Sequence, residues 1–132
     1  MAALNHRGLV LANKGPNNNQ EDEYDENNEN NEKSKIYFQS LYKEIEINKF
    51  FIELPDQEGA EALCIGNDWF SVATDTGNIR VFGFSGYEIV NFKIVRPFVA
   101  LCGYENLLVI AFLDSVPMFG CQMIKARVFD VD

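Results

Sequence analysis

Residues 60–92 read AEALCIGNDWFSVATDTGNIRVFGFSGYEIVNF, and residues 97–103 read PFVALCG. The first stretch divides into four short runs rich in Val, Ile and Phe: Ala60–Ile65, Phe70–Thr74, Asn78–Phe84 and Tyr87–Phe92. A few turn-forming residues separate each run from the next, which is the pattern of hairpin-linked strands. Gly77 in TDTGN and Gly86 in FSGYE stand where a tight hairpin needs positive φ. In GNDW, Gly66 and Asn67 turn the chain and Trp69 opens the following strand.

Ala-Leu-Cys then recurs. Ala62-Leu63-Cys64 matches Ala100-Leu101-Cys102, and Val72-Ala73 matches Ile110-Ala111 at the same offset of 38. Arg80-Val81-Phe82 matches Arg127-Val128-Phe129 at an offset of 47, the additional nine residues falling in the loop LDSVPMFGC. The second unit therefore offers strands at Phe98–Gly103, Leu107–Phe112 and Met123–Asp130. An earlier copy threads through Leu9–Ala12, Ile36–Leu41 and Ile47–Glu53. A repeat of about 40 residues with four short antiparallel strands is the signature of a propeller blade. No segment keeps a helical period; LYKEIEINKF comes nearest, but its β-branched residues and its place between strands oppose a helix.

The expected fold is all-β: a partial WD-repeat-like β-propeller of about three four-stranded antiparallel blades. The blades are assigned to residues 36–54, 60–92 and 98–132, with 1–13 as the end of an incomplete blade. Propeller rings close with about four to eight blades, and a blade is apolar on both faces because each face packs on a neighbour. Two faces would then lie open, so the segment is expected to be an arc of a larger ring.

Composition narrows the function. The chain has 132 residues, 47% of them apolar, and a net charge of -9. Seven acids, Glu21, Asp22, Glu23, Asp25, Glu26, Glu29 and Glu32, lie in one twelve-residue stretch, which leaves 13 acids against 11 Lys and Arg elsewhere. The folded part is thus nearly neutral and lacks the basic cluster that a nucleic-acid backbone requires. Residues 14–35 read as an acidic, Asn-rich disordered insertion, with Tyr24 its only large apolar side chain. A tolerated insertion between two strands explains it more simply than a tail for a basic partner. No signal peptide opens the chain, and the longest apolar run, Leu107–Leu113, is seven residues against the roughly 20 of a membrane helix. The three cysteines form no CxxC, which suits a reducing compartment and buried thiols.

No motif carries chemistry. His6 is the sole histidine and lies in the N-terminal segment, read as a surface residue rather than a triad member. Cys64 and Cys102 occupy matching blade positions and read as core thiols. Asp56, Glu58 and Glu61 read as members of a solvated connection rather than paired catalytic carboxylates. Trp69 reads as a packing residue. No cofactor or metal motif is present. The candidate contact with a neighbouring subunit or partner is the loop carrying Val116, Met118 and Phe119.

The stretch from Ala60 resembles the middle propeller of the chromosome transmission fidelity / acidic nucleoplasmic DNA-binding protein family, also called the minichromosome-loss family. Gly66, Trp69, Ala73-Thr74, Arg80, Phe82 and Gly86 carry the resemblance, followed by Pro97, Val99, Ala100 and Gly103 and the Leu-rich strand Leu107–Ala111. Leu54-Pro55 followed by Asp56 and Glu58 fits as well. Asp75-Thr76-Gly77 departs from the more apolar animal pattern, and the Gly-His and Trp-Asp dipeptides of ordinary WD repeats are absent. The resemblance covers about residue 50 onward and implies a nuclear, non-enzymatic scaffold of the replication machinery. In that family the middle propeller forms a homotrimer, and a following helical bundle recruits DNA polymerase alpha and the replicative helicase. That bundle has no counterpart in these residues. Two other readings stay open: a generic WD-repeat protein-interaction adaptor, and a small β-barrel binding an apolar ligand.

Overall fold

The computed structural model describes residues 1–13, 33–41, 49–94 and 97–132, with only the backbone at 115–118. Most of the acidic insertion, the segment 42–48 and residues 95–96 lie outside the described residues, and with them the disorder expected of the insertion.

Eleven described strands form three antiparallel sheets. The first is β1 (Ala2–Leu4), β2 (Gly8–Ala12), β3 (Lys35–Ser40) and β4 (Lys49–Glu53), in that spatial order. The second is β5 (Ala60–Ile65), β6 (Trp69–Thr74), β7 (Asn78–Gly83) and β8 (Glu88–Lys93). The third has three strands: β9 (Phe98–Tyr104), β10 (Leu107–Met118) and β11 (Cys121–Asp130). Each sheet is a meander of consecutive hairpins, as in a propeller blade.

The internal repeat appears as pairing register. Leu63 pairs with Val72 and Val72 with Arg80 in the second sheet. At the repeat positions of the third sheet, Leu101 pairs with Ile110 and Ile110 with Arg127. Gly77 and Gly86 have φ of 85° and 92°, the left-handed values their hairpins require.

The sheets stack face to face with the second in the middle. All six residues of β6 are buried, since period-two alternation sends Phe70 and Val72 to one neighbour and Trp69 and Ala73 to the other. Between the first and second sheets the core is aromatic: the Phe38 ring lies 5.0 Å from Phe50, 5.5 Å from Phe70 and 4.6 Å from Phe84. Between the second and third, Cys64, Trp69, Ile79 and Val81 meet Leu108, Ile110 and Phe112. The first strands adjoin, β5 lying against both β1 and β9. There Gly103 is needed for close approach, because a Cβ would sit 2.7 Å from the Ile65 carbonyl oxygen and 3.1 Å from the Trp69 ring.

Three expectations change. The first sheet has four strands, because Ala2–Leu4 pairs with β2, so residues 1–13 form two strands of a complete sheet. The nine additional residues of the third unit are no loop: β10 runs to Met118 and β11 begins at Cys121, with register shifts at Leu113/Ser115 and Ser115/Met118 absorbing the extra length. The closed-barrel alternative falls, because the three sheets share no ladder and β4, β8 and β11 are edges among the described strands.

Replacing Gly103 by alanine should therefore cost about 1–3 kcal/mol by overpacking the β5–β9 contact. Urea unfolding should show a lower midpoint at unchanged slope.

Candidate interaction surfaces

The chemistry of this molecule lies on sheet faces and turns. On the first sheet, the side turned away from the second carries Leu4, Leu9, Leu11, Tyr37 and Phe51. Leu4 is 66% exposed and Phe51 69%, and Tyr37 and Phe51 pack with ring centroids 5.0 Å apart. On the third sheet the outward side carries Cys102, Leu107, Val109, Val128 and Ile124, of which Val128 is 61% exposed. Both are apolar sheet faces with no sheet upon them among the described residues.

The turns between the first two strands of each sheet are tied to one another. The Asn5 side-chain amide donates to the Gly66 carbonyl at 2.7 Å, and the Arg7 guanidinium meets Asp68 at 3.2 Å. The Asn67 N–H donates to the Glu105 carbonyl at 2.9 Å, and Trp69 Nε1 donates to the same carbonyl at 2.8 Å. Trp69 is thus a buried packing residue whose polar end is satisfied across a sheet boundary. The trough beside these turns, about 810 Å³, is lined by His6, Cys64, Cys102 and Glu105 among others. No hydrogen bond links His6 to either thiol among the described residues, so no nucleophile–base pair forms there.

Of the three acids Asp56, Glu58 and Glu61, Glu61 lies on β5 rather than in the connection, and Glu58 is not solvated; its side chain is 11% exposed. Arg80 grips it with two parallel bonds, Nε to Oε2 at 2.9 Å and Nη2 to Oε1 at 3.0 Å, while Asn78 Nδ2 donates to Oε1 at 2.6 Å. Arg80 also reaches Glu88 Oε2 at 2.9 Å. Burial pushes the Glu58 carboxyl up, but the Arg80 and Asn78 bonds and the Arg80 charge outweigh it and hold the pKa below its ordinary value. Asp56 lies at the surface against Lys33, at 3.3 Å. The cluster fastens the inter-sheet connection to β7 and commits the Glu58 carboxylate to structure rather than to acid–base work.

The cysteines part company. Cys64 is buried and its thiol is pushed up to about 12, chiefly by that burial. Cys102, expected in the core, is exposed: it occupies the same repeat position, but on the third sheet that position faces outward. Of the sequence-picked contact residues, Phe119 is 98% exposed at the tip of the β10–β11 hairpin, with φ of 53° in the left-handed region that bulky residues avoid. Val116 and Met118 lie on β10, and their side chains are outside the described residues.

Three stacked antiparallel meander sheets that meet through their first strands are those of a partial WD-like β-propeller. The family model for the middle region of minichromosome loss protein, Mcl1, matches residues 1–132, and the chain belongs to that family. WD repeat and HMG-box DNA-binding protein 1 of Homo sapiens is 26% identical over 83 residues, 63% of this chain. The Mus musculus and Xenopus laevis proteins of that name are 24% and 20% identical over 83 residues. The matched segment spans 7% of each relative's length.

Replacing Glu58 by glutamine should lower stability by about 1–3 kcal/mol at neutral pH, since the Arg80 charge loses its bidentate partner. A carboxyl with a depressed folded pKa stabilises the fold above its unfolded pKa and loses that contribution as pH falls through the folded value. The gap between wild type and variant should therefore hold from neutral pH down to about the ordinary carboxyl value of 4.5 and close below it. Thermal melts across that pH range check this.

Proposed function

We propose that this chain is a scaffold segment of a nuclear replication hub and has no catalytic role of its own. Within that reading it forms part of a propeller that homotrimerises and helps couple the replicative helicase to DNA polymerase alpha at forks, the client contacts lying outside these residues. The observation that carries the proposal is the family match over the whole chain, joined to a structure whose distinctive chemistry is apolar sheet faces rather than a reaction centre. The name of the vertebrate relatives, which joins WD repeats to an HMG-box DNA-binding protein, supports work on chromatin. Phe119 and the hairpin arm carrying Val116 and Met118 supply the subunit or partner contact.

The test is to tag the protein at its own locus and follow it through a synchronised cell cycle. It should enter the nuclear chromatin fraction in S phase and bring down polymerase alpha and helicase subunits after crosslinking, with a threefold mass for the purified parent. Even distribution through the cycle, without replication proteins, would favour a general WD-repeat adaptor. Within the purified parent, Phe119→Ser should weaken self-association without lowering the melting temperature, because an exposed side chain holds none of the fold.

A further inference from the structure

The first sheet ends at its rim in a strand whose hydrogen-bonding edge is open. β4 pairs with β3 alone among the described strands, and just past its end the Leu54 N–H donates to the Ser34 carbonyl at 2.9 Å. Antiparallel pairs alternate between bonded and non-bonded, so Ile52 and Phe50 exchange bonds with Ile36 and Phe38. Lys49, Phe51 and Glu53 then turn their N–H and C=O groups off the sheet, and these groups meet no hydrogen-bond partner among the described residues. This edge points away from β3 and off neither face, so it does not depend on what covers the sheet's outward face. β8 is less suited: a register shift between Val81 and Phe82 interrupts its ladder, and Glu88 at its start is held by Arg80. β4 keeps an unbroken register and contains no proline.

The same residues carry a chemical pattern. Lys49, Phe51 and Glu53 place a base, an aromatic and an acid at alternate positions, on the side of the sheet where Tyr37 lies. The ladder already sets complementary residues opposite one another there: Lys35 faces Glu53, and Leu11, Tyr37 and Phe51 form one apolar row. An added antiparallel strand continues both rows when it sets an acid opposite Lys49, an aromatic opposite Phe51 and a base opposite Glu53. We propose that the free edge of β4 takes an extended peptide of a partner protein, paired antiparallel, that reads base, any residue, aromatic, any residue, acid. Main-chain bonds hold the peptide, and its alternate side chains select it. This does not rest on the replication reading and stands or falls separately.

The experiment titrates the purified parent protein into two fluorescent peptides at low salt, Ser-Lys-Thr-Phe-Thr-Glu-Ser and the charge-reversed Ser-Glu-Thr-Phe-Thr-Lys-Ser, with anisotropy as the readout. The first should bind with a Kd below about 1 mM and the second at least about tenfold more weakly, because each charge then faces its like. Lys49→Glu combined with Glu53→Lys should exchange the two preferences. Phe51→Pro should abolish binding with an unchanged melt, since the N–H it removes points off the edge. If that variant melts early, the first peptide methylated on its Lys, Phe and Glu amide nitrogens takes its place and should not bind. Equal affinity for the two peptides overturns the inference, as does a swapped variant that keeps the wild-type preference, or no binding of either peptide at about 1 mM. So does a second copy on the edge, seen as a reversible doubling of mass that Phe51→Pro removes.

Discussion

Everything in this structure depends on one packing constraint: a sheet whose two faces are both apolar needs a neighbour on each side. The second sheet shows what satisfying it achieves. Every residue of β6 is buried, and its alternation supplies side chains to two separate cores at once. Burying a side chain of the size of Val or Phe is worth about 1.5–3 kcal/mol, so a strand that buries both of its sides contributes twice what an ordinary surface strand does. The flanking sheets realise half of this. β2 and β3 alternate between fully buried and more exposed positions, and β10 buries Leu108, Ile110 and Phe112 on one side only.

Much of this was legible in the amino-acid order, because a blade repeats its chemistry at fixed spacing. Leu63, Val72 and Arg80 match Leu101, Ile110 and Arg127 as text, and the same triplets pair across strands. The glycine turns were legible because positive φ leaves few residue choices. Ala2–Leu4 was not, because three residues without a β-branched or aromatic member give no strand signal; pairing with β2 holds them in place. The extended β10–β11 hairpin was also hidden. Pro117 and Gly120 punctuate it as though it were a loop, whereas bulges keep the strands paired around the proline.

The surface faces and the ion cluster were legible to different degrees. Apolar alternation announced that faces existed, but not which would be covered, since Cys64 and Cys102 are the same letter at the same repeat position with opposite exposure. Glu58 was lost among its neighbours Asp56 and Glu61, because a run of acids after a proline resembles a solvated connection. The available signal lay elsewhere: Arg80 interrupts the strand Ile79–Phe82 on the side that also carries Phe82, and a charge at such a position requires a partner.

The two arginines of the repeat show how the stack turns one sequence position to different ends. Arg80 lies between the first and second sheets, where a connection passes close enough to deliver Glu58, and it forms a nearly enclosed fork with that carboxylate. Arg127 occupies the same register position on the third sheet, and its guanidinium lies 5.5 Å over the Phe112 ring. A cation over an aromatic face is worth about 0.5–1 kcal/mol at an exposed site, less than a bidentate carboxylate. Arg80 therefore locks a connection into the stack's interior, while Arg127 makes the weaker contact on the exposed edge strand. The middle sheet is the enclosed one, and the third sheet carries both an outward apolar face and the extended β10–β11 hairpin.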